Sequence, residues 1–175
     1  EECSSLKQIE LPKSLTFIGE SAFSFCTSLK QITNNSSVSL IEESVFSFCS
    51  SLANITIPSC VTVIGPCSFY GCTSLVEIKI PENMTEINKS AFYGCTSLIK
   101  IELPPSLKMI AQGAFERCTS LSSINIPNTV EILGFSIFCS CESLTEITIP
   151  SLVKEIEESS FSECIKLKVN IYHKI

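Results

Sequence analysis

The sequence predicts an α/β-type solenoid, a stack of short coils built from strands and short helical turns, and three observations predict it. A step of 23 residues lands on Cys3, Cys26, Cys49, Cys72, Cys95, Cys118, Cys141 and Cys164, with no insertion or deletion. The same step runs from Leu6 to Leu167 and from Phe23 to Phe161. Within each unit, alternating isoleucines end at a proline, the mark of a strand with one face in a core. Hydrophobic residues make up 45% of the chain and charged ones 17%, so each unit has ample apolar surface to bury against its neighbours. A repeat of this length means that the units stack into one continuous core. The expected domain is therefore residues 1–175 as a single body of about seven units. Neither end looks like the polar capping unit that solenoids carry, so the chain is expected to be a segment of a longer protein.

The first element of a unit is S-L-x-x-I-x-I/L-P, as in the run from Ser74 to Pro81. Ile78 and Ile80 point inward there, with Glu77 and Lys79 outward. Pro81 stops the strand because it has no N–H for a ladder bond. The second element is a shorter extended run, such as Leu107-Lys108-Met109-Ile110. The third is A-F-x-x-C, as in Ala91 to Cys95. Its apolar positions at i, i+1 and i+4 predict one or two turns of α- or 3-10 helix. Two places depart from the pattern. Asn34 and Asn35 replace an apolar residue and the proline, so that strand is expected to end at Thr33 with both Asn in a turn. The pair is either a tolerated defect or a functional feature, since a buried Asn must find hydrogen-bond partners. After Cys164, Leu167, Val169 and Ile171 alternate around Asn170, which predicts a final edge strand in altered register or a disturbed end.

A net charge of −6 disfavours nucleic acid, whose binders need a basic stripe, and disfavours an anionic membrane surface likewise. No apolar run approaches the roughly 20 residues that span a bilayer, so no membrane insertion of this segment is expected. Eight of the eleven cysteines share one column, three residues after the recurring phenylalanine. Cysteine packs as a small hydrophobe, so a stacked column of buried thiols is expected. Cys60, Cys67 and Cys139 fall in other columns, and the odd total leaves at least one thiol unpaired in a monomer. No metal site is expected, because there is no C-x-x-C and the single histidine, His173, lies near the chain end.

The sequence holds no Gly-rich phosphate loop, no H-E-x-x-H and no second histidine for a relay. The carboxylate spacing selects no acid–base pair. No enzymatic activity and no cofactor are expected. Five asparagines fit N-x-S/T, namely Asn34, Asn35, Asn54, Asn83 and Asn88, and these permit glycosylation on a secreted chain.

Two groups of residues are candidates for protein binding. In-register stacking places Glu77 beside Lys100 and Lys79 beside Glu102 on the strand face. These rungs either avoid like-charge repulsion or form a charged ligand site. The strand-face columns carry no aromatic residue, which argues against a high-affinity anchor there. The second group is Phe25, Phe48, Tyr70 and Tyr93. At about 100° per residue, a helical turn that buries Ala, Phe and Cys leaves these four outside the buried arc. Later units place Glu116, Arg117, Cys139, Ser140, Ser162 and Glu163 at the same positions. The four aromatics either form an exposed contact patch or pack on one another and on a preceding unit.

The unit L-x-x-I-x-I-P…I-G-x-x-A-F-x-x-C-x-S resembles the BspA-type leucine-rich repeat, from Cys3 to Cys164. The resemblance implies a right-handed, curved solenoid whose first strands form a parallel sheet on the concave face. It also implies that the column of Ser14, Cys60, Asn83 and Thr129 bonds backbone in the turn. Members of that family are typically surface or secreted proteins implicated in adhesion to host cells and matrix proteins. The function implied is a non-catalytic surface adhesin or antigen with a protein partner. The alternative is an intracellular scaffold or regulatory module in the cytoplasm, which eleven cysteines fit at least as well.

Overall fold

The strands lie where the alternating isoleucines place them. The structure is a computed structural model, and it describes residues 3–34 and 36–168. Its strands are β1 (Gln8–Leu11), β2 (Gln31–Asn34), β3 (Leu40–Ile41), β4 (Asn54–Ile55), β5 (Val63–Ile64), β6 (Glu77–Lys79), β7 (Glu86–Ile87), β8 (Lys100–Glu102), β9 (Met109–Ile110) and β10 (Ile132–Leu133). All pair in parallel at a register of one repeat, as Ile9 with Ile32 and Ile78 with Ile101 show. The result is a parallel-strand β-solenoid.

First strands form one ladder, in the segments β1-β2-β4 and β6-β8, and it continues as a bridge between Ser123 and Glu146. Second strands form another, in the segments β3-β5 and β7-β9-β10. Between β5 and β7 the ladder is bridged by a side chain. The Ile64 carbonyl accepts from Asn88 Nδ2 at 2.8 Å, where its equivalents Ile41, Ile87 and Ile110 accept from the backbone N–H of Gly65, Ala111 and Gly134. β2 runs through Asn34, whose backbone pairs with Leu11, one residue beyond the end expected at Thr33. Asn35, the expected edge strand around Val169 and Ile171, and His173 lie outside the described residues.

The third side of each coil corrects the α/β expectation. Among the described residues, one 3-10 turn, Glu158–Phe161, is the only helix. The cause is in the backbone. In six of the seven A-F-x-x-C segments, the residue before the segment and the residue before its cysteine both have left-handed φ, such as Ser44 at 57° and Phe48 at 58°. A right-handed helix cannot pass through such residues. The N–H groups between them reach along the solenoid axis instead: Ser44, Phe46 and Phe48 donate to the carbonyls of Pro66, Ser68 and Tyr70 in the next coil. Apolar spacing reports which side chains are buried, and here a ladder of turns buries the same set that a helix would.

Inside, the repeated residues form columns. Phe23, Phe46, Phe69, Phe92, Phe115, Phe138 and Phe161 stack with centroids 5.4–5.7 Å apart. Beside them, Cys26, Cys49, Cys72, Cys95, Cys118 and Cys141 are buried free thiols. From Cys49 to Cys164, each column thiol donates to the carbonyl of the phenylalanine 26 residues earlier, at 3.0–3.2 Å. Hydroxyls do the same at the surface, as Thr96 to Thr73 and Thr129 to Pro105. Consecutive coils are thus tied by backbone, thiol and hydroxyl bonds on top of apolar burial.

Candidate functional site

The turn side carries a row of aromatic rings on its surface. Phe25 and Phe48 stack at 4.6 Å, Phe48 meets Tyr70 at 5.2 Å, and Tyr70 stacks on Tyr93 at 4.5 Å. Arg117, the single arginine of the chain, lays its guanidinium over the Tyr93 ring at 5.9 Å. The row is therefore Phe25, Phe48, Tyr70, Tyr93, Arg117, one residue from each of five successive coils. Phe25 and Phe48 remain 42% and 39% exposed, and both tyrosines are half-buried. Burial pushes the Tyr70 phenol up, and the charge and hydrogen bonding of the neighbouring Tyr93 hydroxyl add to the effect.

The backbone explains how the row forms. Phe25 and Phe48 occupy a left-handed position, at φ 59° and 58°. In the next two coils that position is Gly71 and Gly94, and the aromatic moves one residue earlier, to Tyr70 and Tyr93. The exchange has a steric reason. A Cβ on Gly71 would lie 2.8 Å from Phe48 Cδ1, so the Phe48 ring lies across the glycine. Arg117 then returns to the left-handed position at φ 60° and reaches back over Tyr93. Helical angles had placed the four aromatics on this side, but the left-handed turns position them. Within the row the stacked pairs are Phe25 with Phe48 and Tyr70 with Tyr93, while Phe48 and Tyr70 meet at 57° between their planes.

The charged candidates lie on the first-strand face. The register pairs Glu77 with Lys100 and Lys79 with Glu102. The contacts that form run elsewhere: Lys100 Nζ meets Glu102 Oε1 at 2.8 Å within one strand, and Lys79 reaches Glu82 at 3.9 Å. Lys100 is raised and Glu102 lowered, in each case first through their shared hydrogen bond and then through the partner's charge. Asn54, Thr56, Glu77, Lys79, Lys100 and Glu102 line a shallow groove here. The structure keeps the two candidate groups on separate sides of the coil.

Sequence reasoning passed over two features. Arg117, which the sequence places among the residues that replace the aromatics, instead continues their row, and its signal was the 23-residue column it shares with Phe25 and Phe48. The outward column of the second strands is also mostly apolar, broken by Glu86 in β7. Phe17, Val63 and Ile132 are exposed in it, with Leu40 and Met109 half-buried. The same 23-residue step that found the core would have found this stripe.

A family model for the BspA type leucine rich repeat region, in six copies, matches residues 1–107 and 41–168. The chain belongs to the BspA-type leucine-rich repeat family. Its BspA-type coils are shared by solved structures. A leucine rich repeat protein of T. pallidum is 34% identical, with a TM-score of 0.60 over 76% of this chain and 58% of that one. A leucine-rich repeat protein from Bacteroides ovatus is 28% identical, with a TM-score of 0.55 over 91% and 59%. A leucine rich cell surface protein from Faecalibacterium prausnitzii is 27% identical, with a TM-score of 0.50 over 94% and 59%. The BspA-type segment described here thus spans less than two thirds of each of these structures. No curated protein matches the sequence significantly. A repeat scaffold of this kind is suited to protein interaction, because stacked units present extended, rigid surfaces. Among the described residues, no helix is long and apolar enough to cross a membrane.

Proposed function

We propose that this chain is a non-catalytic binding module of a cell-surface or secreted adhesin or antigen, and that it engages a host-cell or extracellular-matrix protein. In this reading the coils wind right-handed and curve with the first strands on the concave side. One observation carries the binding role: four aromatics in contact, ending in the only arginine, form a surface row across five coils. Aromatic residues and arginine dominate the energetics of protein interfaces, and exposed apolar rows mark contact sites. Phe25 and Phe48 also hold a left-handed backbone conformation that costs on the order of 1–2 kcal/mol for a bulky residue. The F. prausnitzii structure, described as a cell surface protein, supports the location.

A second reading, an intracellular scaffold, is favoured by a different observation. The described cysteines are all free thiols, the state that a reducing compartment maintains. Labelling intact and permeabilised source cells with an antibody to this segment separates the two. Signal on intact cells is expected, and signal that needs permeabilisation would transfer the module to the cytoplasm.

A further inference from the structure

We propose that Asn83 is an acceptor for an N-linked glycan, a modification that rests on the surface or secreted reading above. Asn83 opens the sequon Asn83-Met84-Thr85 and lies in the turn between a first and a second strand. Its flanking anchor is firm: Met84 is fully buried, and its N–H closes the turn onto the Pro81 carbonyl at 3.2 Å. Asn83 and Thr85 are both exposed.

The column to which Asn83 belongs makes the case. In other coils this position ties the turn to the preceding coil. Ser37 donates to the Lys13 carbonyl, Cys60 to Val38, Ser106 to Glu82 and Thr129 to Pro105. No such bond is made by the Asn83 side chain, whose amide nitrogen is left to solvent. Asn88 is the opposite case. Its Nδ2 bonds the Ile64 carbonyl and is half-buried, standing in for a missing ladder bond. Asn54 rises from β4 in register with Gln31, on the floor of the strand-face groove. Of these three sequons, Asn83 alone combines a turn, an exposed hydroxyl partner and an amide without a structural task.

The chemistry is a transfer from a lipid-linked oligosaccharide diphosphate, catalysed by the oligosaccharyltransferase of the cell that exports the chain. Asn83 Nδ2 forms a bond to the anomeric carbon, that carbon's bond to the diphosphate oxygen breaks, and the amide loses one proton. The lipid diphosphate leaves. The attached sugar would stand beside Glu82, at the rim of the strand-face groove. A glycan there shields that groove and leaves the turn side, with its aromatic row, as the open contact surface.

The test is to secrete the chain from a eukaryotic host behind a signal peptide and map the sugars by mass spectrometry. Cleavage after Glu86 separates the Asn83 sequon from that of Asn88. A glycan on the Asn83 peptide and none on Asn88 is expected. Asn83→Gln should remove one glycan mass with the melting temperature unchanged. Asn88→Asp should leave the glycan mass unchanged and lower the melting temperature, since the Ile64 carbonyl loses its donor. An unmodified Asn83 on the secreted chain, or occupancy at Asn88 in its place, overturns the assignment. The signal peptide forces export, so that result counts against this site. Absence of the protein from the surface of its own cells counts against the surface reading instead.

Discussion

Cys95 Sγ donates a hydrogen bond to the main-chain carbonyl of Phe69, 3.2 Å away and 26 residues earlier in the chain. The contact repeats along the solenoid, and it gives the thiol column two jobs. The sulfur fills space beside the phenylalanine stack, and its proton serves a carbonyl of the coil before. Alanine would fill less space and donate nothing. Cys95→Ala should therefore cost about 1–3 kcal/mol, as losses of a buried donor do. Cys95→Ser keeps the donor and should retain more stability than Cys95→Ala in a urea titration.

The same burial sets a pH dependence. Desolvation pushes Cys49 and Cys118 up to about 12, and Cys72, Cys95 and Cys141 also lie well above the usual thiol range. In the unfolded chain these thiols ionise near 9, so there the unfolded state holds fewer protons than the folded state. Stability is then full below about pH 8 and falls as pH rises from about 9 towards 12. Melting temperatures measured between pH 7 and 11 should show a plateau and then a steep alkaline decline. At pH 8, iodoacetamide should label Cys3 and Cys60, which are exposed, and spare the buried column until denaturant is added.

Phe92 is fully buried between Phe69 and Phe115, with coils on both sides. Phe92→Ala should cost about 3–5 kcal/mol. Tyr93 is the next residue but faces the surface row. Losing its stack on Tyr70 should cost about 0.5–1.5 kcal/mol. Comparable losses in the two variants would contradict the facing of this turn.

Ser160 is fully buried, and its hydroxyl makes no hydrogen bond. Its column elsewhere holds Ala22, Ala91 and Ala114. Removing an unpaired buried hydroxyl should stabilise, so Ser160→Ala is expected to gain about 1 kcal/mol, or roughly 2–4 °C in melting temperature. Ser68 occupies the same column but bonds the carbonyls of Gly65 and Glu42, and Ser68→Ala should destabilise.

Much of this fold is written in the 23-residue step, because every coil repeats its buried residues without a slip. Ile78 and Ile80 face the core and Glu77 stands beside Lys100, as alternation and register require. The turn side was not legible in the same way. Apolar spacing around Phe46 fits a helix, and what forbids one is a pair of left-handed residues, Ser44 and Phe48, neither of a type that announces positive φ. The aromatic row was visible as four residues, while its continuity depends on Gly71 making room for the Phe48 ring and on Arg117 reaching backward. The contacts of Lys100 and Lys79 were hidden for another reason: long exposed side chains choose among several carboxylates of similar energy.

Gly71 and Gly94 test how the row is seated. Both have left-handed φ, so an alanine at either carries the backbone strain of about 1–2 kcal/mol. At Gly71 the new Cβ would also strike Phe48 Cδ1, whereas at Gly94 its nearest neighbours are 3.9 Å away. Gly71→Ala should therefore be the more destabilising of the two and should alter the near-ultraviolet circular dichroism of the aromatics. Equal effects would mean that Phe48 does not lie on the glycine.

Binding of the triple variant Phe48→Ser, Tyr70→Ser, Tyr93→Ser to host-cell layers and immobilised matrix proteins tests the central claim most directly. Its stability is followed alongside by thermal melting, with Lys100→Ala and Glu102→Ala as the strand-face control. Lost binding in a variant that still melts cooperatively, with binding retained in the control, is the expected result. Full binding by a folded triple variant would contradict the assignment of the aromatic row as the contact surface.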